Sequence, residues 1–299
     1  MVIAFIGLGE VGTAYACGLA LNGARVKGYD IKFETEGKEN FVNYEKCKDA
    51  GVDMVDSPQE LVDGADIIIA VTSCSQAMDT AVMYKPFLKK NQRYCEWNST
   101  VPELVRKIED YIGDKCTFID CCTLSSPSMF GVKTPCCSCG PEGEQIAKEL
   151  NAYGMQIQYL GETIGQASAF KVIRSIFTKS LEATLVESLV CARYYGVEED
   201  IFKSIIEFLT GEPTDKTLAM MVRTNMIHSK RRGDEICEIA VMEDEAGLEN
   251  TMALAATKKL YWLASLGLKE KFGGMKANSL IEALDAILEA QEAKKTTQK

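Results

Sequence analysis

The sequence predicts an α/β fold, with a doubly wound, mostly parallel sheet over residues 1–162 and an all-helical region over residues 163–299. Up to about residue 160, short aliphatic runs alternate with amphipathic stretches, which is the order of a parallel sheet covered by helices. After residue 165 the strand signals fade and helical periodicity continues. A chain of 299 residues has room for both domains, at roughly 100 to 200 residues each.

The individual elements are predicted from short segments. Six aliphatic runs predict the strands, namely VIAFIG, ARVKGYD, ADIIIAVT, QRYCEWN, CTFIDCC and MQIQYLG. Between them, EVGTAYACGLALNG and VPELVRKIEDYIG have the apolar spacing of helices. The second region reads as helices in ASAFKVIRSIFTKSLEATLVESLVCARYYGV, EEDIFKSIIEFL, TDKTLAMMVRTNMIHSK, DEICEIAVMEDEAG, ENTMALAATKKLYWLASLG and NSLIEALDAILEAQEAKK.

Charge and hydropathy exclude two classes of partner. The formal net charge is -10, whereas a phosphate-binding surface for nucleic acid normally carries a basic excess. No segment approaches the roughly 18 uninterrupted apolar residues of a membrane span. The N-terminal segment lacks the charged start and small-residue cleavage site of a secretory signal. We therefore expect a cytoplasmic protein that binds neither membranes nor nucleic acids.

Three glycines with the spacing G-x-G-x-x-G directly follow the first predicted strand and precede a helix. Gly7 permits a tight turn, Gly9 lets a pyrophosphate approach the backbone, and Gly12 allows close helix packing. The helix N-terminus offers free N–H groups to the phosphates. The alternative is a glycine-rich turn in an α/β domain without a ligand. We predict a Rossmann domain whose turn binds a dinucleotide through Gly7, Leu8, Gly9, Glu10, Val11 and Gly12.

An acidic residue, Asp30, ends the second predicted strand, where the dinucleotide motif requires one. Its carboxylate can accept hydrogen bonds from both ribose hydroxyls, and it repels a 2′-phosphate. The sequence therefore favours NAD. Lys32, two residues further on, keeps NADP as the alternative.

Polar residues follow two later strands, at the edge of an open α/β sheet where ligands bind. Serine and threonine also end strands and cap helices, and NSTVPE is a good helix start by itself. We predict contacts to the cofactor or the substrate from Val71, Thr72, Ser73, Asn98, Ser99 and Thr100.

A single lysine interrupts the small and apolar residues that begin the first long helix, GQASAFKVIRSI. Gly165, Ala167 and Ser168 are small enough to let this helix approach its neighbours closely, so that Lys171 can point toward the nicotinamide. An amine whose pKa falls from about 10.4 toward 7 or 8 can act as a general acid or base on a hydroxyl or carbonyl group. The alternative is a solvated lysine on an amphipathic helix.

GLGEVG, NSTVP and GQASAFK together resemble the β-hydroxyacid dehydrogenase superfamily, which includes 3-hydroxyisobutyrate and 6-phosphogluconate dehydrogenases. The resemblance covers nearly the whole chain, and KVIRSIFTKSLEATL and HSKRRGDEI are most similar to a 6-phosphogluconate dehydrogenase-like branch with its own C-terminal domain. It implies oxidation of a β-hydroxy acid with NAD(P), or the reverse reduction, and a homodimer formed through the helical domain. Because the family's catalytic lysine shortly follows a glycine at the head of this helix, it also implies that Lys171 is catalytic.

The chain departs from that family where the substrate is held. The family's D-A-P-V-S-G-G loop, which grips the substrate carboxylate, reads DCCTLSSP here, with Leu124 at the serine position. The family's asparagine one turn after the lysine is replaced by Arg174 and Ser175, and Arg174 can bind an anion directly. Ser125 and Ser126 are candidates for the missing hydroxyl. The predicted substrate-binding residues are Ser99, Thr123, Leu124, Ser125, Arg174, Ser175 and Arg231.

Two further clusters have a structural and a functional interpretation. The segment HSKRRGDE contains the chain's one histidine and three basic residues, which suit a carboxylate or phosphate, and Arg231 is the candidate within it. Alternatively, the segment is a basic helix end that complements the helix dipole.

Six of the twelve cysteines lie in CTFIDCC and CCSCG. Their spacing favours small buried residues over a metal site, so we predict no metal.

The combined expectation is an NAD(P)-dependent oxidoreductase that acts on a small anionic β-hydroxy acid or its keto form. Two alternatives stay open. An imine reductase has the same architecture but usually lacks the catalytic lysine. A non-catalytic NAD(P)-binding sensor would use its helices for dimerisation.

Overall fold

A computed structural model describes residues 1–297 of the chain, so the last two residues of the predicted helical domain lie outside the described residues. The contacts divide the chain into two compact units, Met1–Ile176 and Phe177–Lys299. The boundary predicted from the sequence precedes the first long helix, whereas the division between the compact units falls within that helix.

The first unit contains one eight-stranded sheet with the order β3-β2-β1-β4-β5-β6-β7-β8. The order of the first six strands is that of a doubly wound dinucleotide-binding fold. All neighbours pair in parallel except β6 and β7, which are antiparallel. The strands are β1 (Val2–Ile6), β2 (Arg25–Tyr29), β3 (Asp53–Met54), β4 (Ile67–Ala70), β5 (Arg93–Glu96), β6 (Thr117–Thr123), β7 (Pro135–Cys139) and β8 (Gln156–Tyr159).

The central strands are apolar because both faces of the sheet are covered. Every residue of β4 is buried, as are all residues of β1 after Val2. Parallel strands with helices on both faces read as continuous apolar runs of this kind. The mostly parallel sheet predicted from the sequence is thus confirmed.

Two strands have no counterpart among the predicted runs. The strand β3 has only two residues, which is too short to show any periodicity. The strand β7 has the sequence PCCSC, which begins with proline and lacks the β-branched and aromatic residues typical of strands. Its antiparallel pairing with β6, with Cys122 opposite Cys137, comes from the tertiary fold and not from local preference.

Helices surround the sheet and continue through the second unit. The helices of the first unit are α1 (Glu10–Leu21), α2 (Lys32–Glu36), α3 (Tyr44–Asp49), α4 (Pro58–Val62), α5 (Ala77–Tyr84), α6 (Pro102–Ile112), α7 (Pro127–Phe130) and α8 (Gly143–Asn151). The long helix α9 (Gln166–Tyr195) begins in the first unit and ends in the second. The remaining helices are α10 (Glu198–Thr210), α11 (Thr214–Glu245), α12 (Thr251–Ala264), α13 (Leu268–Lys271) and α14 (Leu280–Thr297).

Every secondary-structure element among the described residues of the second unit is a helix, which confirms the predicted all-helical region. Gly233 of α11 faces Tyr261 of α12, and a Cβ at this glycine would lie 2.7 Å from the tyrosine ring. Glu187 of α9 accepts hydrogen bonds from two backbone N–H groups at the start of α12, at 2.7 and 2.8 Å. In residues 1–297, no helix is long and apolar enough to cross a membrane.

Candidate active site

The turn after β1 is held by contacts that only glycine permits. Gly7 has a φ of +93°, in the region that side chains disfavour, and its N–H donates to the Tyr29 carbonyl at 2.8 Å. A Cβ at Gly12 would lie 2.1 Å from the Gly7 carbonyl oxygen. At Gly9, in contrast, a Cβ would have no described atom within 4 Å. Gly7 and Gly12 therefore shape the turn, while Gly9 leaves open space in front of it.

Asp30 connects this turn to the end of β2. Its Oδ2 accepts the Leu8 N–H at 2.8 Å, and its Oδ1 accepts the Lys32 N–H at 3.1 Å. A carboxylate offers about four acceptor positions on its two oxygens, so two positions stay available to a ligand. The side chain of Leu8 is fully buried against Gly28, so Leu8 contributes to this site through its backbone.

A cavity of about 490 Å³ opens at the carboxyl ends of β1, β2 and β4. This is the point where the strand order reverses, and ligands of doubly wound folds bind there. Eight residues predicted to bind the cofactor line it: Gly7, Gly9, Glu10, Val11, Asp30, Val71, Thr72 and Ser73. Sequence reasoning did not single out Ile6, Tyr29, Ile31, Gln76, Asp79, Thr80, Met83 and Tyr84, which also line it.

Asn98 and Thr100 lie outside the lining of this cavity and are buried at the end of β5. The Thr72 hydroxyl donates to Asn98 Oδ1 at 3.2 Å, which connects the ends of β4 and β5. Among the described residues, neither Asn98 Nδ2 nor Thr100 Oγ1 has a hydrogen-bond partner. Buried polar atoms of this kind normally find a partner, so both are candidates to bind a ligand.

Lys171 lies in the second turn of α9, and its Nζ donates a hydrogen bond to the Ser99 hydroxyl. This contact brings together two residues that are 72 positions apart in the sequence. Burial lowers the pKa of the Lys171 amine, while the nearby thiols, Cys122 foremost, oppose that shift. The half-buried lysine is therefore better suited to exchange a proton near neutral pH than a solvated lysine.

Asp120, in the middle of β6, holds the beginning of α9. Its Oδ2 accepts the backbone N–H groups of Gly165 and Ser168 and the Ser168 hydroxyl, each at 3.1 Å. Gly165 has a φ of +98°, which explains the glycine before the lysine segment. Burial raises the pKa of Asp120, and the hydrogen bonds from Ser168 oppose the rise.

Arg174 follows Lys171 by one helical turn, and its Nη1 donates to the Leu124 carbonyl at 2.5 Å. The side chain of Leu124 packs against a small buried cluster that includes Cys122 and Ala167.

The Thr123 hydroxyl lies 2.9 Å from the Tyr15 hydroxyl. Ser125 and Ser175 are half-buried. The structure thus brings Arg174 to the predicted substrate loop. It also places Tyr15 beside Thr123 of this loop, a contact that sequence reasoning missed.

Arg231 lies in the second unit, in α11. It pairs with Glu235 one turn later on the same helix, and both side chains are exposed. Arg232 donates instead to Asn225, at 2.6 Å, and to Thr224. The helix itself therefore supplies partners for both arginines. The role of Arg231 in substrate binding stays a prediction.

The six clustered cysteines are all buried, and the twelve cysteines of the chain are free thiols in the described structure. Cys122 and Cys137 face each other across β6 and β7 with their sulfurs 3.1 Å apart. Within residues 1–297, no group of three or more histidine, cysteine, aspartate or glutamate side chains is arranged to hold a metal ion.

Glu96, the last residue of β5, is fully buried. Its Oε1 accepts the Asn98 N–H at 3.1 Å, and its Oε2 has no hydrogen-bond partner in the described part of the chain. Burial raises the pKa of Glu96 to about 8, and the Asp120 carboxylate adds to the rise. Sequence reasoning did not single out Glu96, because the segment QRYCEW contains other polar residues.

Glu96 leads to a prediction about pH and stability. The folded protein keeps the Glu96 proton up to about pH 8, whereas the unfolded chain releases it near 4.5. The free energy of unfolding therefore falls as pH rises through this window, by up to about 1.4 kcal/mol per pH unit. We expect Glu96→Gln, which has no proton to lose there, to show a smaller decline in urea denaturation. Parallel pH dependences for both proteins would contradict the assignment.

The residues around the glycine turn fit a dinucleotide. Gly9, with open space around its Cα, directly precedes α1, whose first backbone N–H groups suit a phosphate. Asp30 lines the same cavity and keeps acceptor positions for ribose hydroxyls. The unpartnered Asn98 amide and Thr100 hydroxyl lie at the end of β5, two strands away from β1 in the sheet.

Comparison with known proteins agrees with this geometry. Residues 2–123 match the NAD binding domain of 6-phosphogluconate dehydrogenase, and residues 192–263 match a domain of unknown function, DUF1932. An uncharacterized 28.5 kDa protein from the 7S RNA 5′ region of Methanothermus fervidus is 30% identical over 241 residues. The match covers 80% of this chain and 89% of that relative. The chain belongs to the 6-phosphogluconate dehydrogenase-like family of NAD-binding proteins.

Solved structures similar to this member of the 6-phosphogluconate dehydrogenase-like family include two with different descriptions. The conserved protein MTH1747, of unknown function and structurally similar to 3-hydroxyacid dehydrogenases, is 25% identical with a TM-score of 0.60. That match covers 89% of this chain and 97% of the other. An imine reductase from Myxococcus stipitatus in complex with NADP+ is 16% identical with a TM-score of 0.73, covering 94% and 98% of the two chains. The latter likeness shows the fold alone.

These findings confirm the resemblance and the fold class predicted from the sequence. The protein has an NAD(P)-binding domain and a 3-hydroxyacid dehydrogenase-like fold. Its family and structural neighbours indicate an NAD(P)-dependent oxidoreductase.

Proposed function

We propose that the protein transfers a hydride between NAD(P) and a small anionic β-hydroxy acid or its keto form, with Lys171 as the general acid and base. The observation that supports this most strongly is the hydrogen bond from Lys171 to Ser99. It places a half-buried amine with a lowered pKa beside the end of β5, on the carboxyl side of the sheet. A neutral amine there can take a proton from a hydroxyl group, and an ammonium can return it.

The proton chemistry follows from the position of Lys171. In the oxidation direction the neutral amine accepts the hydroxyl proton of the substrate, so the rate rises as pH rises through the pKa of Lys171. In the reduction direction the ammonium donates, and the rate falls over the same range. The Ser99 hydroxyl accepts a hydrogen bond from the amine and can donate one to the same substrate oxygen.

The cofactor site uses the glycine turn and Asp30. The N–H groups at the start of α1 would hold the pyrophosphate, and the Asp30 carboxylate would accept the ribose hydroxyls. Because the carboxylate repels a 2′-phosphate, we propose a preference for NAD over NADP. The bound cofactor supplies or accepts the hydride.

The substrate anion would be held beside Lys171. Arg174 uses one guanidinium nitrogen on the Leu124 carbonyl and keeps further N–H groups for a carboxylate. Ser125, Thr123 and Ser175 provide hydroxyl groups near the same loop and helix. Arg231 is the candidate from the helical domain. An arginine in place of the family's asparagine favours an acid that presents its carboxylate to this turn of α9.

We also propose a cytoplasmic homodimer formed through the helical domain. The support is a set of large apolar side chains that are exposed on α9 and α10 of the described chain. They include Val186, Val190, Phe202 and Phe208, with exposures of 65%, 53%, 51% and 55%. Monomeric proteins rarely leave such residues grouped on the surface, and a second copy would cover them.

One experiment tests the function and its alternatives. Fluorescence titration with NADH and NADPH measures cofactor binding, and we expect tighter binding of NADH. A screen of β-hydroxy acids for cofactor reduction, and of keto acids for cofactor oxidation, should then find turnover. Turnover of cyclic imines without turnover of any acid would support an imine reductase. Cofactor binding without any turnover would support a non-catalytic sensor.

A further inference from the structure

Two neighbouring strands carry a buried carboxyl group at paired positions. Glu96 of β5 lies opposite Asp120 of β6 in the parallel register, so both side chains point to the same face of the sheet. The residues are 0% and 1% exposed. In the part of the chain that the structure describes, one oxygen of each, Glu96 Oε2 and Asp120 Oδ1, has no hydrogen-bond partner. Burying two carboxyl groups that each leave one oxygen without a partner is costly, so a specific role is needed to explain them.

The partners of Asp120 lie in the first turn of α9. Its Oδ2 accepts three hydrogen bonds from Gly165 and Ser168 and a fourth from the Cys139 thiol at 3.3 Å. Hydrogen bonds to a carboxylate are stronger than those between neutral groups. A negative charge at a helix N-terminus is also favourable to the helix dipole. Asp120 thus caps the N-terminus of α9, although it lies on a strand that is distant in the sequence.

The position of this turn determines where the lysine lies. Ser168 and Lys171 are three residues apart and occupy the same face of the helix. The partner of Lys171, Ser99, is positioned from the adjacent strand, because Glu96 accepts the N–H of Asn98 directly before it. Each side of the contact between Lys171 and Ser99 is therefore supported by one member of the carboxyl pair.

We propose that Asp120 is a positioning residue that keeps the Lys171 amine packed against Ser99 by holding the first turn of α9. Glu96 supports the opposite side through Asn98. The inference rests on the proposed role of Lys171 in proton transfer. Since burial is the main cause of the lowered Lys171 pKa, release of the helix turn would admit water and return that pKa toward its usual value of 10.5.

Positioning and direct electrostatics give opposite results at Lys171. Removing a nearby negative charge by itself lowers the pKa of an amine, because the ammonium loses a favourable neighbour. Losing the position raises it instead. The ionisable groups that act on Lys171 besides its burial are the thiols of Cys74, Cys122, Cys136 and Cys137, and Asp120→Asn leaves all four in place.

The test measures the reactivity of Lys171 in the full chain, without substrate. Trace labelling with acetic anhydride across a pH series, quantified by peptide mass spectrometry, gives a titration midpoint for each lysine. In the wild type we expect the Lys171 midpoint to lie below the usual lysine value of 10.5. In Asp120→Asn we expect it to rise by about one pH unit, which is a tenfold fall in the neutral fraction at a fixed pH.

Gln92→Leu is the matched control. Gln92 is buried at the amino end of β5 and donates to the Val62 and Ala65 carbonyls at 2.8 and 2.9 Å, away from α9. This variant should melt at a lower temperature and keep the wild-type Lys171 midpoint. If Asp120→Asn does not fold, Ser168→Ala removes one of the four donors and should raise the midpoint by a smaller amount.

An unchanged or lowered Lys171 midpoint in the folded variant overturns the positioning role. So does an equal rise in Gln92→Leu, since general loosening of the sheet would then explain the effect. The labelling does not depend on turnover. If the midpoint rises but no acid is oxidised in the screen, the positioning role stands and the proposed reaction fails. If an acid is turned over while the Lys171 midpoint stays fixed in Asp120→Asn, the proposed reaction stands and the positioning role fails.

Discussion

Lys171→Met is expected to reduce hydride transfer by at least about a hundredfold while NADH affinity stays within twofold of the wild type, in line with typical effects of general acid–base catalysis. Methionine replaces the aliphatic stem but has no amine to exchange the hydroxyl proton. The rate is measured by cofactor fluorescence with the acid that the wild type turns over best. Binding is measured separately by NADH titration, because the cavity proposed for the cofactor does not include Lys171.

Two variants accompany this measurement. Lys171→Arg keeps the positive charge but cannot lose its proton in the accessible pH range, so it should be as inactive as the methionine variant. Lys179→Met removes an exposed lysine from the same helix and should leave the rate unchanged. Near-normal turnover by Lys171→Met would exclude the proposed mechanism. Normal turnover by Lys171→Arg would mean that charge, and not proton transfer, is required.

Gly12→Ala is expected to lose both stability and cofactor binding. The added Cβ would lie 2.1 Å from the Gly7 carbonyl oxygen and 3.1 Å from Val71 Cγ1. The Gly7 carbonyl cannot move away easily, because the adjacent Gly7 N–H is bonded to the Tyr29 carbonyl. We expect the free energy of unfolding to fall by about 2–3 kcal/mol, in the upper part of the usual range for overpacking. Urea denaturation measures this loss.

Gly9→Ala is the informative comparison within the same motif. Gly9 has a φ of −65°, which alanine adopts without strain, and its Cβ would meet no described atom within 4 Å. This variant should therefore unfold like the wild type. The methyl group would occupy the space through which the phosphates approach, so we expect NADH affinity to fall by about tenfold. Unchanged affinity for NADH in Gly9→Ala would place the pyrophosphate elsewhere.

The fold could be predicted because its central strands are buried on both faces. Short runs rich in isoleucine, such as ADIIIA, indicate a strand and not a helix. The glycine spacing predicts the turn that follows β1. The strand β7 could not be predicted, because PCCSC has no local preference for a strand and pairs with β6 only in the folded sheet. A sequence pattern predicts a strand only where the preferences of its own residues, and not its pairing with a distant strand, decide the structure.

The site could be predicted in part for a related reason. Lys171 was a candidate from its place at the head of the first long helix together with the family resemblance, and Ser99 from its place after a strand. The structure brings the two side chains together. The carboxyl pair of Glu96 and Asp120 was missed because single acids in QRYCEW and CTFIDCC look like ordinary polar strand residues. Only the register shows that they are paired and buried. Tyr15 was missed because its partner is more than a hundred residues away.

The start of α9 makes a separate contact in each of three consecutive turns. Ser168 is anchored to Asp120, Lys171 contacts Ser99, and Arg174 contacts Leu124, at intervals of three residues. If Arg174 binds the substrate anion as proposed, a substitution at residue 174 should change which anion is accepted and leave the contact between Lys171 and Ser99 in place. An insertion between residues 168 and 171 would rotate everything after it by about 100°. Under the proposed function, this part of α9 should therefore tolerate a point substitution better than a change in its length.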